Sequence, residues 1–169
     1  MWRLPFLVWF GFVFVGHLKD PEHGSILSFL NLGIHELGHT VLMWAPQFVC
    51  VAGGTIAQLA APIFGLWNFY RQDDFFSMAL CFGWLSTNLF SVSNYMADAT
   101  TMQLTLVSPF GSEGIIHDWN YLFTHMGLLA YDQQVAAVVY LIGIVSMLIC
   151  FISGGLLLWQ MAVSRTPKL

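Results

Sequence analysis

Val135–Val163 reads VAAVVYLIGIVSMLICFISGGLLLWQMAV and holds no charged side chain. About 20 apolar residues in a helix cross the hydrocarbon core of a bilayer, and this run exceeds that. A helix apolar on every side has no face suited to water. The run therefore points to a membrane protein, and the rest of the chain repeats its pattern. Upstream, polar punctuation separates apolar runs at about Trp2–Gly16, Ser25–Trp44, Phe48–Tyr70 and Phe75–Met96. The breaks fall at Lys19-Asp20-Pro21-Glu22-His23, at Ala45-Pro46 and at Arg71-Gln72-Asp73-Asp74, stretches typical of loops and helix stops. A polar stretch, about Asp98–Glu113, then leads into a shorter and less apolar segment, about Ile115–Leu129.

Composition agrees. Charged residues make up 8% of the 169, against about 25% in soluble domains. Five basic and nine acidic side chains are too few to cover a soluble globule of this size. A net charge of −4 offers no basic patch for nucleic acid. The expected fold is all-α: a polytopic membrane bundle of about five or six helices, one of them short and polar or re-entrant. Residues 1–169 are expected to form one integral membrane domain with the lipid bilayer as its solvent, multi-pass, in a cell inner or plasma membrane. Irregular backbone at membrane depth is tolerated only inside protein or beside water, so the short segment and the 98–114 stretch are expected to line or gate a water path.

Several features are mute about function. Cys50, Cys81 and Cys150 lie in apolar runs without a CxxC, as small packing residues do. The first run lacks a small-x-small cleavage site and is read as a retained helix. Six spans put Arg3, Arg165 and Lys168 on one side, and the positive-inside rule then places both termini inside. Five spans put the N-terminus outside. His17 and His23 are read as loop residues, and His125 as a hydrogen-bonded bundle histidine.

The second run contains His35-Glu36-Leu37-Gly38-His39, an HExxH motif. Positions i and i+4 share a helix face, so two imidazoles can converge on one Zn²⁺. Glu36, beside the first ligand, is placed to take a proton from the bound water. Gly38 leaves room for another helix. Ionisable groups inside an apolar span mark function by default.

A membrane helix bearing this motif resembles the intramembrane zinc metalloproteases of the site-2 protease family. The resemblance is tight over Gly33–Thr40. It extends loosely to Gly54-Thr55-Ile56-Ala57-Gln58, where Thr and Gln replace the Pro and Asn of the family's Gly-Pro-x-x-Asn stretch. It implies hydrolysis of transmembrane substrates by metal-activated water, with Glu36 as general base. Gln58 is either a donor to the developing oxyanion or a partner in an interhelical hydrogen bond. The family takes an Asp as third zinc ligand from a later helix, usually in a Leu-Asp-Gly context that this chain lacks. Ile116-His117-Asp118-Trp119-Asn120 offers Asp118, which the family analogy favours, and His117. Whichever does not ligate can orient a ligand or cap the short helix. Asp98 is the remaining alternative.

The expected function is therefore a zinc endopeptidase acting on membrane proteins or transmembrane peptides. The alternative is a non-catalytic metal-binding subunit of a membrane assembly, with other membrane subunits as partners. A histidine-based redox protein is the third class. Its di-iron members resemble a set of clustered histidines, whereas the six here are scattered.

Overall fold

The computed structural model describes residues 3–104 and 116–164. Among them six α-helices occur and no strand: α1 Leu4–Lys19, α2 Ile26–Val41, α3 Gln47–Arg71, α4 Phe75–Ala97, α5 Asp118–Met126 and α6 Asp132–Val163, with a 3₁₀ turn at Leu129–Tyr131. This is the all-α bundle that the apolar runs predict, and the short polar segment is α5. Residues 105–114, part of the stretch expected to line or gate water, lie outside the described residues. So do Trp2, Arg165 and Lys168.

Local chemistry sets the helix ends. Pro5 occupies the first turn of α1, where its missing N–H loses no intrahelical bond. Ser28 Oγ accepts the Ser25 N–H at 2.9 Å at the start of α2. Asp74 caps α4, accepting from Ser77 N at 3.2 Å and Ser77 Oγ at 2.6 Å. Gly127 closes α5 in the left-handed conformation, φ 69°, which a glycine adopts without strain.

The stretches Gln47–Arg71, Phe75–Ala97 and Leu129–Val163 are long and apolar enough to cross a membrane. Helices α1 and α2 have 16 residues each, about 24 Å of rise against a core of roughly 30 Å. The surface fits lipid as solvent. Phe29 and Trp44 are 81% exposed, while Ser86 and Asn88 are fully buried.

Helix α4 stands at the centre, packed along α6 and flanked by α1, α2 and α3. Leu7, Phe10, Phe76, Met147 and Cys150 fill the space between α1, α4 and α6. Three serines bond across the α4–α6 seam: Ser86 Oγ to Gly143 O at 2.7 Å, Ser93 Oγ to Ala136 O at 2.8 Å and Ser146 Oγ to Phe82 O at 2.7 Å. Such bonds join helices where lipid removes the hydrophobic drive between them. On its other side α4 reaches α2, as Trp84 Nε1 donates to Asn31 Oδ1 at 2.8 Å. The three cysteines are free thiols, and Cys81 and Cys150 are buried.

One expectation is corrected. His17 is not a loop residue but lies in the last turn of α1, 5% exposed, its ring 5.1 Å from that of Phe90. Pro21 restrains chiefly the residue before it, so the helix runs on to Lys19.

Helices α2 and α3 cross where Gly38 meets Gly53. A Cβ on Gly38 would collide with the Gly53 carbonyl oxygen and lie 2.7 Å from Ala57 Cβ. Gly38→Ala is therefore expected to force the pair apart and destabilise the fold by about 1–3 kcal/mol. Gly33→Ala, with nothing within 4 Å of the added Cβ, should be neutral or gain up to about 1 kcal/mol from helix propensity. Unfolding in mixed micelles by SDS titration measures both. Equal midpoints for the two variants would contradict the close crossing.

Candidate metal centre

The helical spacing of His35 and His39 puts both rings on the side of α2 that faces α3. Each ring is fixed from behind. His39 Nδ1 lies 2.9 Å from the Cys50 carbonyl oxygen, and His35 Nδ1 lies 3.0 Å from Gln58 Oε1. An oxygen acceptor there requires the hydrogen on Nδ1. Both Nε2 lone pairs then point away from α3's anchoring groups, toward a common point.

Helix α5 supplies the third group. Its buried side is Asp118, Leu122 and Phe123, so the apolar pair docks the helix and Asp118 enters with it. Asp118 Oδ2 lies 2.9 Å from His35 Nε2 and 3.1 Å from His39 Nε2, and the two Nε2 atoms are 3.1 Å apart. Three lone-pair atoms thus face one another, in buried and half-buried residues. Without a shared proton or a cation they repel.

The donor set fits a metal. Two imidazoles and one carboxylate, each offering one atom, match a catalytic zinc class. Ligand atoms around tetrahedral zinc stand about 3.3 Å apart for bonds of about 2.0–2.1 Å, close to the separations here. Gly54 of α3 leaves space against both Nε2 atoms. A Cβ there would come within 2.5 Å of His39 Nε2 and 2.6 Å of His35 Nε2.

The other sequence candidates fall around this cluster. Glu36 is half-buried, follows His35 on α2 and stands within electrostatic reach of His39 and Tyr95. It is not among the converging atoms. Gln58 is buried behind His35, with its carboxamide oxygen on Nδ1. Of its two candidate roles, this contact is the interhelical hydrogen bond. His117 and Asp98, weighed as third ligands, are engaged elsewhere. His117 caps α5, Nδ1 accepting the Asn120 N–H at 3.2 Å, and its Nε2 lies 3.3 Å from Asp98 Oδ2. Asp98 also accepts from Thr101 Oγ1 at 2.6 Å, Gln103 N at 2.8 Å and Leu104 N at 3.0 Å. His125, read as a bundle histidine, is instead exposed, its Nδ1 2.8 Å from the Tyr121 carbonyl oxygen one turn back on α5.

Tyr95 and Cys50 escape the motif reading, and Gly54, which opens the second motif stretch, has a part there that the motif does not state. Tyr95 of α4 accepts the Asp118 N–H on its hydroxyl at 3.1 Å. Cys50 acts through its backbone carbonyl, not its thiol. Gly54 acts by lacking a side chain. Only Gly53-Gly54, a glycine pair inside an apolar run, carried a signal.

Asp98 lies just beyond α4. Burial alone would raise the pKa of its carboxyl, but the bonds from Thr101, Gln103, Leu104 and His117 outweigh that and hold it below the ordinary carboxylate value. A lowered folded-state pKa stabilises the fold above the unfolded value of about 3.9, and that contribution is lost as pH falls through the folded value. The 98–104 turn should therefore open on acidification. Amide exchange at Gln103 and Leu104 is expected to lose protection below about pH 4 in wild type. Asp98→Asn, which keeps one acceptor oxygen where the carboxylate has two, should lower protection of one of the two amides already at neutral pH. Protection that does not vary with pH in wild type would contradict the role of the carboxylate.

Comparison with protein-family models, with curated proteins and with solved structures finds no match to this chain.

Proposed function

We propose that this chain is an intramembrane zinc metalloprotease-like protein, a multi-pass protein of a cell inner or plasma membrane. Its substrates are membrane proteins or transmembrane peptides cut within or near the bilayer. One observation carries the reading. The two histidines of HExxH and an aspartate distant in sequence bring three ligand atoms within 4.8 Å of one another, with both Nδ1 atoms anchored behind. The motif's likeness to site-2 proteases supports the same chemistry.

The roles follow from the residues. His35, His39 and Asp118 would hold the ion. Bound zinc would supply Lewis acidity at the substrate carbonyl and lower the pKa of water. Glu36, half-buried beside His35, accepts the water's proton and returns it to the leaving amine. Gln58 and the Cys50 carbonyl hold the imidazoles in the tautomer that ligates, as supporting groups at zinc sites do. Tyr95 anchors the backbone of Asp118.

Metal analysis and cleavage of a transmembrane peptide, on purified protein in detergent and in liposomes, test this together. Wild type is expected to hold about one zinc per chain and to cut. His35→Ala, His39→Ala and Asp118→Ala should lose the metal, and Gly54→Ala should weaken binding with helicity retained. Glu36→Gln should keep zinc and lose cleavage by at least about 10²-fold. A zinc-loaded Glu36→Gln protein that cuts like wild type sinks the mechanism. Stoichiometric zinc without cleavage of any membrane peptide would favour a non-catalytic metal-binding subunit.

A further inference from the structure

The first turn of α5 is gripped by the end of α4 at three points. Tyr95 Oη accepts the Asp118 N–H at 3.1 Å. Asp98 Oδ2 pairs with His117 Nε2 at 3.3 Å. Asn120 Nδ2 donates to the Ala99 carbonyl at 2.8 Å. The ring of His117 also lies against that of Tyr95, centroids 4.4 Å apart. Asp98 and His117 are both more than nine-tenths buried, so water competes little for either.

The protonation pattern is self-consistent. His117 Nδ1 accepts from the Asn120 amide, so the neutral ring carries its hydrogen on Nε2 and donates it to Asp98. Asp98 meanwhile gathers Thr101, Gln103 and Leu104. One carboxylate thus ties the loop after α4 to the residue preceding Asp118. The ligands His35 and His39 share one helix, and their spacing is built in. Asp118 arrives from a 9-residue helix too short to hold its own position, because isolated helices of that length are marginal.

We propose that Asp98, His117 and Tyr95 are positioning residues that set Asp118 against the two imidazoles and thereby determine metal affinity. This inference rests on His35, His39 and Asp118 being a metal centre. Asp98 and His117 touch no ligand atom of that centre. They act through the backbone of α5, and Tyr95 acts on the Asp118 amide.

Cobalt(II) titration of the full chain in detergent micelles, followed by d–d absorption, tests it. Asp98→Asn removes the negative charge and turns a donor NH₂ toward one of the two sets of groups that Asp98 now gathers, Thr101 and Gln103 or Leu104 and His117. It should raise the cobalt Kd about 10–100-fold, the usual effect of removing a residue that orients a ligand, and alter the d–d band. His117→Asn keeps a helix cap but loses the bond to Asp98, and should do the same. Tyr95→Phe removes one oxygen and should weaken binding in the same direction. Ser86→Ala, on the α6-facing side of α4, should lower thermal stability and leave Kd and spectrum unchanged. If Asp98→Asn fails to fold, Tyr95→Phe carries the test. Folded Asp98→Asn and Tyr95→Phe proteins with wild-type Kd and spectrum would overturn the positioning role and leave the metal centre standing. Wild type that binds no cobalt, or His35→Ala and Asp118→Ala binding it as wild type does, would overturn the metal centre itself.

Discussion

The structure depends on satisfying a few ionisable groups inside an apolar bundle. A buried polar or charged group without a partner costs several kcal/mol, and lipid offers it no water. His35, His39, Asp118, His117 and Asp98 therefore occur as two connected sets, joined through the Asp118 backbone and Tyr95. Helix positions follow from that need. The α2–α3 crossing must be close enough for the Cys50 carbonyl and Gln58 to reach the imidazoles, hence Gly38 against Gly53. Helix α5 must enter far enough for Asp118 to meet them, hence Leu122 and Phe123 buried beneath it.

Local pattern made part of this readable in advance. The apolar runs placed α3, α4 and α6 within a few residues, because a long uncharged run has one stable form in lipid. The motif placed His35 and His39 on one face, because i and i+4 are adjacent on any helix. Asp118 lies 83 residues from His35, and no spacing rule links them. The choice between Asp118 and His117 was open for the same reason. A helix cap and its next residue point in different directions, and only the docking of α5 settles which enters the cluster.

What remained illegible was carried by backbone and by absence. The Cys50 carbonyl has no side-chain signature. Gly54 matters for a Cβ it lacks. Tyr95 looked like one more aromatic in a chain that is 16% aromatic. His17 was misplaced because a charge cluster and a proline suggested an earlier helix end. Its burial comes from Phe90 on a distant part of the chain.

Helix α4 reconciles rigidity with a site assembled from three other helices. Its seam with α6 is closed by serine hydroxyls on backbone carbonyls, bonds indifferent to side-chain identity on the partner. Its other side meets α2 through Trp84 and Asn31 and α5 through Tyr95. Relative motion of α2 and α5 would separate the imidazoles from Asp118, and both helices are referred to α4. Two of the shorter helices, a 16-residue α2 and a 9-residue α5, carry the converging side chains. The long helices supply the frame. Converging side chains are held best on rigid elements with supporting contacts, and here a central helix lends that rigidity to short ones.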